Sequence, residues 1–108
     1  MPSPNPTKLF WQIAEQMYAD PAVKEATMMG FKCLRVDGQF FATLDHRNDS
    51  LIVKLPRERV TALLESGIGQ PFAPAGRVFK EWISIPTPDK RKWTSLLEEA
   101  KSFVQANA

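Results

Sequence analysis

Lys32-Cys-Leu-Arg-Val36, then Asp37-Gly38, then Gln39-Phe-Phe-Ala-Thr-Leu44: this stretch decides the fold. Two runs of strand length flank an Asp-Gly pair, the dipeptide that tolerates positive φ at both central positions of a tight hairpin. Moving forwards, Leu51 to Leu55 reads as a third strand, with Leu51, Val53 and Leu55 on one side. The polar run His46-Arg47-Asn48-Asp49-Ser50 connects it to the second, in which Phe40, Ala42 and Leu44 are expected to share the buried face. An antiparallel meander with one apolar face needs helices to cover it.

The flanks supply those helices. Met1-Pro-Ser-Pro-Asn-Pro6 has three prolines in six residues, so residues 1–6 are expected to form an extended, flexible arm. Thr7 is expected to cap a helix whose Phe10, Ile13, Ala14 and Met17 recur at helical spacing. Asp20-Pro21 then reads as a helix restart, with Asp20 at the N-cap and an end near Ala26. After the meander, Pro56 starts a helix with Val60, Leu63 and Leu64 inward, and Gly67 ends it in a left-handed cap.

Gly69, Pro71 and Pro74 limit any strand around Phe72 to a short one at an edge. Past Gly76, Arg77 to Ile85 alternates, with Val78, Lys80, Trp82 and Ser84 opposite Phe79, Glu81, Ile83 and Ile85. Pro86-Thr87-Pro88 breaks that strand. From Asp89 a final helix carries Trp93, Leu96, Leu97, Ala100, Phe103 and Val104 on one face. The expected fold is α+β, in the order α-β(3)-α-β(2)-α, an antiparallel sheet covered by helices in a single domain over residues 7–108. Its core is expected to include Phe10, Ile13, Phe40, Leu44, Val53, Leu63, Trp82, Ile83, Trp93, Leu97 and Ala100.

Composition sets the outer bounds. The chain has 108 residues, 44% hydrophobic and 24% charged, which suits one folded domain and rules out wholesale disorder. No apolar run approaches the roughly 20 residues that span a bilayer, so no membrane partner is expected. A lone cysteine, Cys33, cannot form an intrachain disulfide, which fits a cytoplasmic location. The net charge of +2 is small, but residues 54–92 hold eight basic and four acidic groups. From them Arg57, Arg77, Lys80, Lys90, Arg91 and Lys92 form the candidate DNA-binding set, provided the fold gathers them on one face. Lys90-Arg91-Lys92 is the sharpest cluster, at a helix start where the macrodipole disfavours cations.

No catalytic constellation stands beside this set. Cys33 and His46 are the only thiol and the only imidazole, and the topology does not bring a mid-strand cysteine to a turn two strands on. Cys33 reads as a small buried strand residue that any activity can spare. One Cys and one His cannot close a zinc site, and Gly67-Ile-Gly69 lacks the Lys-Ser/Thr of a phosphate loop. No enzyme activity, metal or cofactor is expected. Trp82 and Trp93 read as core residues rather than base-stacking platforms.

Three segments carry a likeness: Gly30-Phe31-Lys-Cys-Leu-Arg-Val-Asp-Gly-Gln-Phe-Phe-Ala-Thr-Leu44, Val53-Lys-Leu-Pro-Arg-Glu-Arg59 and Lys80-Glu-Trp82-Ile-Ser-Ile-Pro86. Over about residues 8–105 the chain resembles the MmcQ/YjbR-like family of small bacterial proteins. It is also similar to the N-terminal domain of TfoX-type competence regulators, whose Met-Phe-Gly stretch stands near Met28-Met29-Gly30. The resemblance implies a fold similar to that of type III secretion chaperones, and DNA binding through two hairpin wings. Those wings correspond here to the Asp37-Gly38 turn and the loop before Arg77, although Asp37 is a poor residue for a phosphate contact. Two functions are therefore expected to compete. One is weakly sequence-selective DNA binding through the basic set. The other is a chaperone-like or dimeric module that docks a protein partner without DNA. A continuous basic patch favours the first, and a contiguous exposed apolar patch the second.

Overall fold

The computed structural model describes residues 5–28, 31–45, 49–73, 76 and 78–107. In chain order these form α1 (Pro6–Met17), β1 (Val23–Met28), β2 (Phe31–Val36), β3 (Gln39–Asp45), β4 (Ser50–Lys54), α2 (Arg57–Glu65), β5 (Gln70–Pro71), β6 (Trp82–Ile85) and α3 (Lys90–Ala106). The strands make one antiparallel sheet in the order β1-β2-β3-β4-β6-β5. The α+β class holds, with four strands before α2 instead of three.

The extra strand is β1, where the sequence suggested a helix restart. Asp20 does initiate structure, but as a turn: its carboxylate accepts from the Ala22 N–H at 2.9 Å, and its carbonyl accepts from Val23 at 3.0 Å. The chain then pairs with β2 over six consecutive positions, from Val23↔Val36 to Met28↔Phe31. A full ladder outweighs the weak local preference of an Asp-Pro pair for a helix start. At the N-terminus, Asn5 rather than Thr7 caps α1, accepting from the Lys8 N–H at 3.2 Å. Pro6 is already the first helical residue, where its missing N–H costs nothing, so it is not part of an arm. The remainder of that arm, residues 1–4, lies outside the described residues, as do His46 and Arg77.

The β2–β3 hairpin turns as its sequence requires, with Asp37 at φ 51° and Gly38 at φ 80°. Its ladder then slips by one residue. Leu34 faces Ala42 and Arg35 faces Phe40, leaving Phe41 as the extra residue of a β-bulge. The bulge reverses the expected alternation: Phe41 is fully buried, while Phe40 is half-buried on the other face. Phe40 therefore leaves the expected core.

One face of the sheet carries the core. Leu34, Val36, Phe41, Ala42, Leu44, Leu51, Val53, Ile83 and Ile85 join Trp93, Leu96, Leu97, Ala100 and Val104 of α3 and the inner side of α1. Helix α3 lies mainly across β3 and β4, and α1 packs beside it. Its N-cap is Asp89, which accepts from the Lys92 N–H at 3.0 Å. The last expected strand is shorter than its alternation suggested: among its described residues, only Trp82–Ile85 pairs with β4. Ile83 and Ile85 point to the core, so Trp82 and Ser84 point away, and Trp82 is half-buried rather than core. At the β5 edge, Gly69 is buried against Ile83, and a Cβ there would collide with that side chain.

Candidate nucleic-acid interface

The sheet register fixes where each candidate cation stands. Strand β4 ends at Lys54 opposite Trp82, and the Leu55 N–H donates to the Glu81 carbonyl at 2.9 Å. Lys80 and Arg57 therefore leave the sheet at the same end, where the Asp37-Gly38 hairpin also turns. Strand β6 leaves at the opposite end, beside Leu51, and Lys90, Arg91 and Lys92 begin α3 there. The last turn of α3 returns to the hairpin end: Val104 and Asn107 share a small cleft with Gln39, Lys54 and Glu81. From Lys92 to Val104 the helix rises about 18 Å. The described members of the candidate set thus form two groups, Arg57 with Lys80 and Lys90 with Arg91 and Lys92, not one patch. The antiparallel β4–β6 pairing separates them, because a chain that enters β6 at one end must start α3 at the other.

All five described members are exposed. Among the described residues the ion pairs are Lys32–Glu25 at 3.5 Å, Arg59–Glu99 at 2.9 Å and Lys101–Asp20 at 2.8 Å. Those three cations are used in holding elements together, Arg59 fastening α2 to α3. Arg57, Lys80, Lys90, Arg91 and Lys92 have no such carboxylate among the described residues.

The face of the sheet turned away from α1 and α3 bears a second set of residues, which sequence reasoning missed. At the hairpin end, Lys24 of β1 stands directly opposite Arg35 of β2, both outside the core. Like charges placed opposite each other destabilise a ladder. The Arg35 guanidinium lies 4.2 Å over the Phe40 ring, a contact worth about 0.5–2 kcal/mol depending on its hydration. Its Nε is buried without a hydrogen-bond partner. Farther across the same face come Lys54 and, opposite it, Trp82. Phe72 packs beside Trp82 with ring centres 6.4 Å apart, and Phe79 beside Phe72 at 5.8 Å. The signal for this row was present as alternation in each strand, but the Phe41 bulge and the β4–β6 pairing are what align it.

An open cleft of about 440 Å³ lies at the β1 end of the row, lined by Lys24 and Arg35 as well as Glu25, Asp37, Ala22 and Ala26. Cys33, on the same face nearer the centre, is buried, as expected of a small strand residue. Among the described residues no three His, Cys, Asp or Glu side chains gather as metal ligands would, and no helix is long and apolar enough to cross a membrane.

The chain matches no family model, no curated protein and no solved structure. Its reading therefore rests on its own surface. What that surface offers chemically is fixed positive charge and exposed rings, suited to binding phosphates and flat or apolar groups.

Proposed function

We propose that this chain is a small non-enzymatic nucleic-acid-binding protein of the MmcQ/YjbR-like kind, with weak sequence selectivity. The observation that carries this reading is the Lys90-Arg91-Lys92 cluster. Three exposed cations occupy the first turn of α3, where the helix dipole disfavours them; the Asp89 carboxylate caps the helix through the Lys92 N–H, and among the described residues none of the three cations has an ion-pair partner. Phosphate groups supply that partner. The selectivity is weak because none of the helices among the described residues carries a set of Arg, Asn and Gln side chains suited to base edges. Arg57 and Lys80 leave the sheet at the other end, where the Asp37-Gly38 turn also lies.

The test is a binding series on duplex DNA across salt concentrations. Affinity is expected to fall steeply with salt for any sequence. Neutralising Lys90, Arg91 and Lys92 to Gln together should flatten the slope by up to about 3, near 0.9 for each phosphate that a cation no longer neutralises. Equal binding by the triple variant would remove the cluster from the interface. Absence of parental binding at low salt would end the nucleic-acid reading.

A second reading has one observation in its favour. Val78 and Phe79 are 56% and 40% exposed, unusual for large apolar side chains next to one another. A module that docks a protein partner, or a second copy of itself, would cover them. That reading takes precedence if no nucleic acid binds.

A further inference from the structure

We infer that the hairpin end of the sheet face turned away from α1 and α3 binds single-stranded nucleic acid, with bases stacked on the Arg35–Phe40 pair and on Trp82. This inference rests on the nucleic-acid reading above and names the form of the ligand. Across the hairpin end of that face, cations and rings are interspersed: Lys24, Arg35, Phe40, Lys54, Trp82 and, packed beside Trp82, Phe72. From β1 to β6 is four strand spacings, about 19 Å, room for about three nucleotides of an extended strand. A duplex keeps its bases stacked inside and offers phosphates and groove edges but no free base faces, so it has no use for the rings. A single strand offers both a charged backbone and free base faces.

Three local features favour this occupant over an apolar protein surface. The guanidinium of Arg35 is held against Phe40, so it adds a stacking surface of fixed position. Lys24 and Arg35 repel each other across the ladder, a cost that a bridging phosphate relieves. Trp82, Phe40 and Phe72 are each only half-buried, leaving ring surface available. Asp37 and Glu25 border the cleft beside Lys24, but Glu25 is paired with Lys32. The phosphates are accordingly expected to run from the Lys24–Arg35 pair towards Lys54, away from Asp37.

The experiment titrates the full chain with fluorescently labelled oligothymidylate and oligouridylate of about twelve nucleotides, and with a hairpin duplex of equal phosphate number. Anisotropy gives affinity, and intrinsic tryptophan fluorescence reports stacking. The single strands should bind more tightly than the duplex and quench part of the tryptophan signal. Trp82→Phe should abolish most of that quenching while retaining binding. Trp82→Ala should weaken single-strand binding roughly 5- to 150-fold, with duplex binding little changed. Should Trp82→Ala fail to fold, Lys54→Gln serves: it should lower single-strand affinity and reduce its salt slope by about 0.7. Duplex binding with no single-strand preference, or single-strand binding indifferent to these variants, overturns the inference and leaves the broader reading intact. Absence of binding to any of the three oligonucleotides overturns both.

Discussion

Leu97 has no exposed surface and lies on the side of α3 that meets β3 and β4. Its neighbours on that side, Trp93 and Ala100, are equally enclosed, so nothing flexible is at hand to fill a void. Leu97→Ala is expected to cost roughly 2–5 kcal/mol in chemical denaturation, and a loss under about 1 kcal/mol would contradict this packing. Residue by residue, the pattern of apolar spacing found most of the interior: Phe10, Ile13, Leu44, Val53, Leu63, Ile83, Trp93, Leu97 and Ala100 are all buried. It failed at Phe40 and Trp82 for different reasons. Phe40 was displaced by a bulge, which no spacing in a single strand announces. Trp82 sits on an alternating strand whose two sides are both rich in apolar residues, and only the pairing with β4 decides which side is inner.

At the level of elements, local chemistry made the hairpin and helices legible. Asp37-Gly38 needs its turn whatever surrounds it, and α3 declares itself by an apolar stripe with Asp89 at its start. Strand β1 was not legible, because its stability comes from a partner strand and from a long-range tie. Asp20, in the turn before β1, accepts a hydrogen bond from Lys101 of α3 at 2.8 Å and another from the Ala22 N–H. The Lys101 contact first, and the Ala22 N–H second, hold the Asp20 carboxyl below its ordinary range. The same contact raises Lys101 above the ordinary lysine range. For Asp20, the linked stability is present above its unfolded pKa and disappears as pH falls through the folded one. For Lys101, it is present below its unfolded pKa and disappears as pH rises through the folded one. The pair thus supports the fold throughout the neutral range. Asp20→Asn, which keeps the turn geometry but not the charge, should be less stable than the parent at neutral pH. The gap should close below about pH 4, as Asp20 itself becomes neutral. A gap that stays constant down to about pH 2 would mean that the ion pair contributes nothing.

For the molecule as a whole, the candidate site was less legible than the fold. The basic residues were visible one by one, but their division between the two ends follows from strand order, and strand order is a long-range property. The same order leaves two sheet edges of different character. Strand β5 has only two residues, one of them Pro71, which lacks an N–H to offer a neighbour. Strand β1 is six residues long, and its outer side has no partner strand among the described residues. A building block with one adhesive border and one blunt one can join a single copy of itself, and the joining uses up the border it needs. Growth beyond two would require the blunt side. Sedimentation at increasing concentration should therefore find monomers and, at most, dimers; ordered chains of three or more would show that the proline edge does not stop growth.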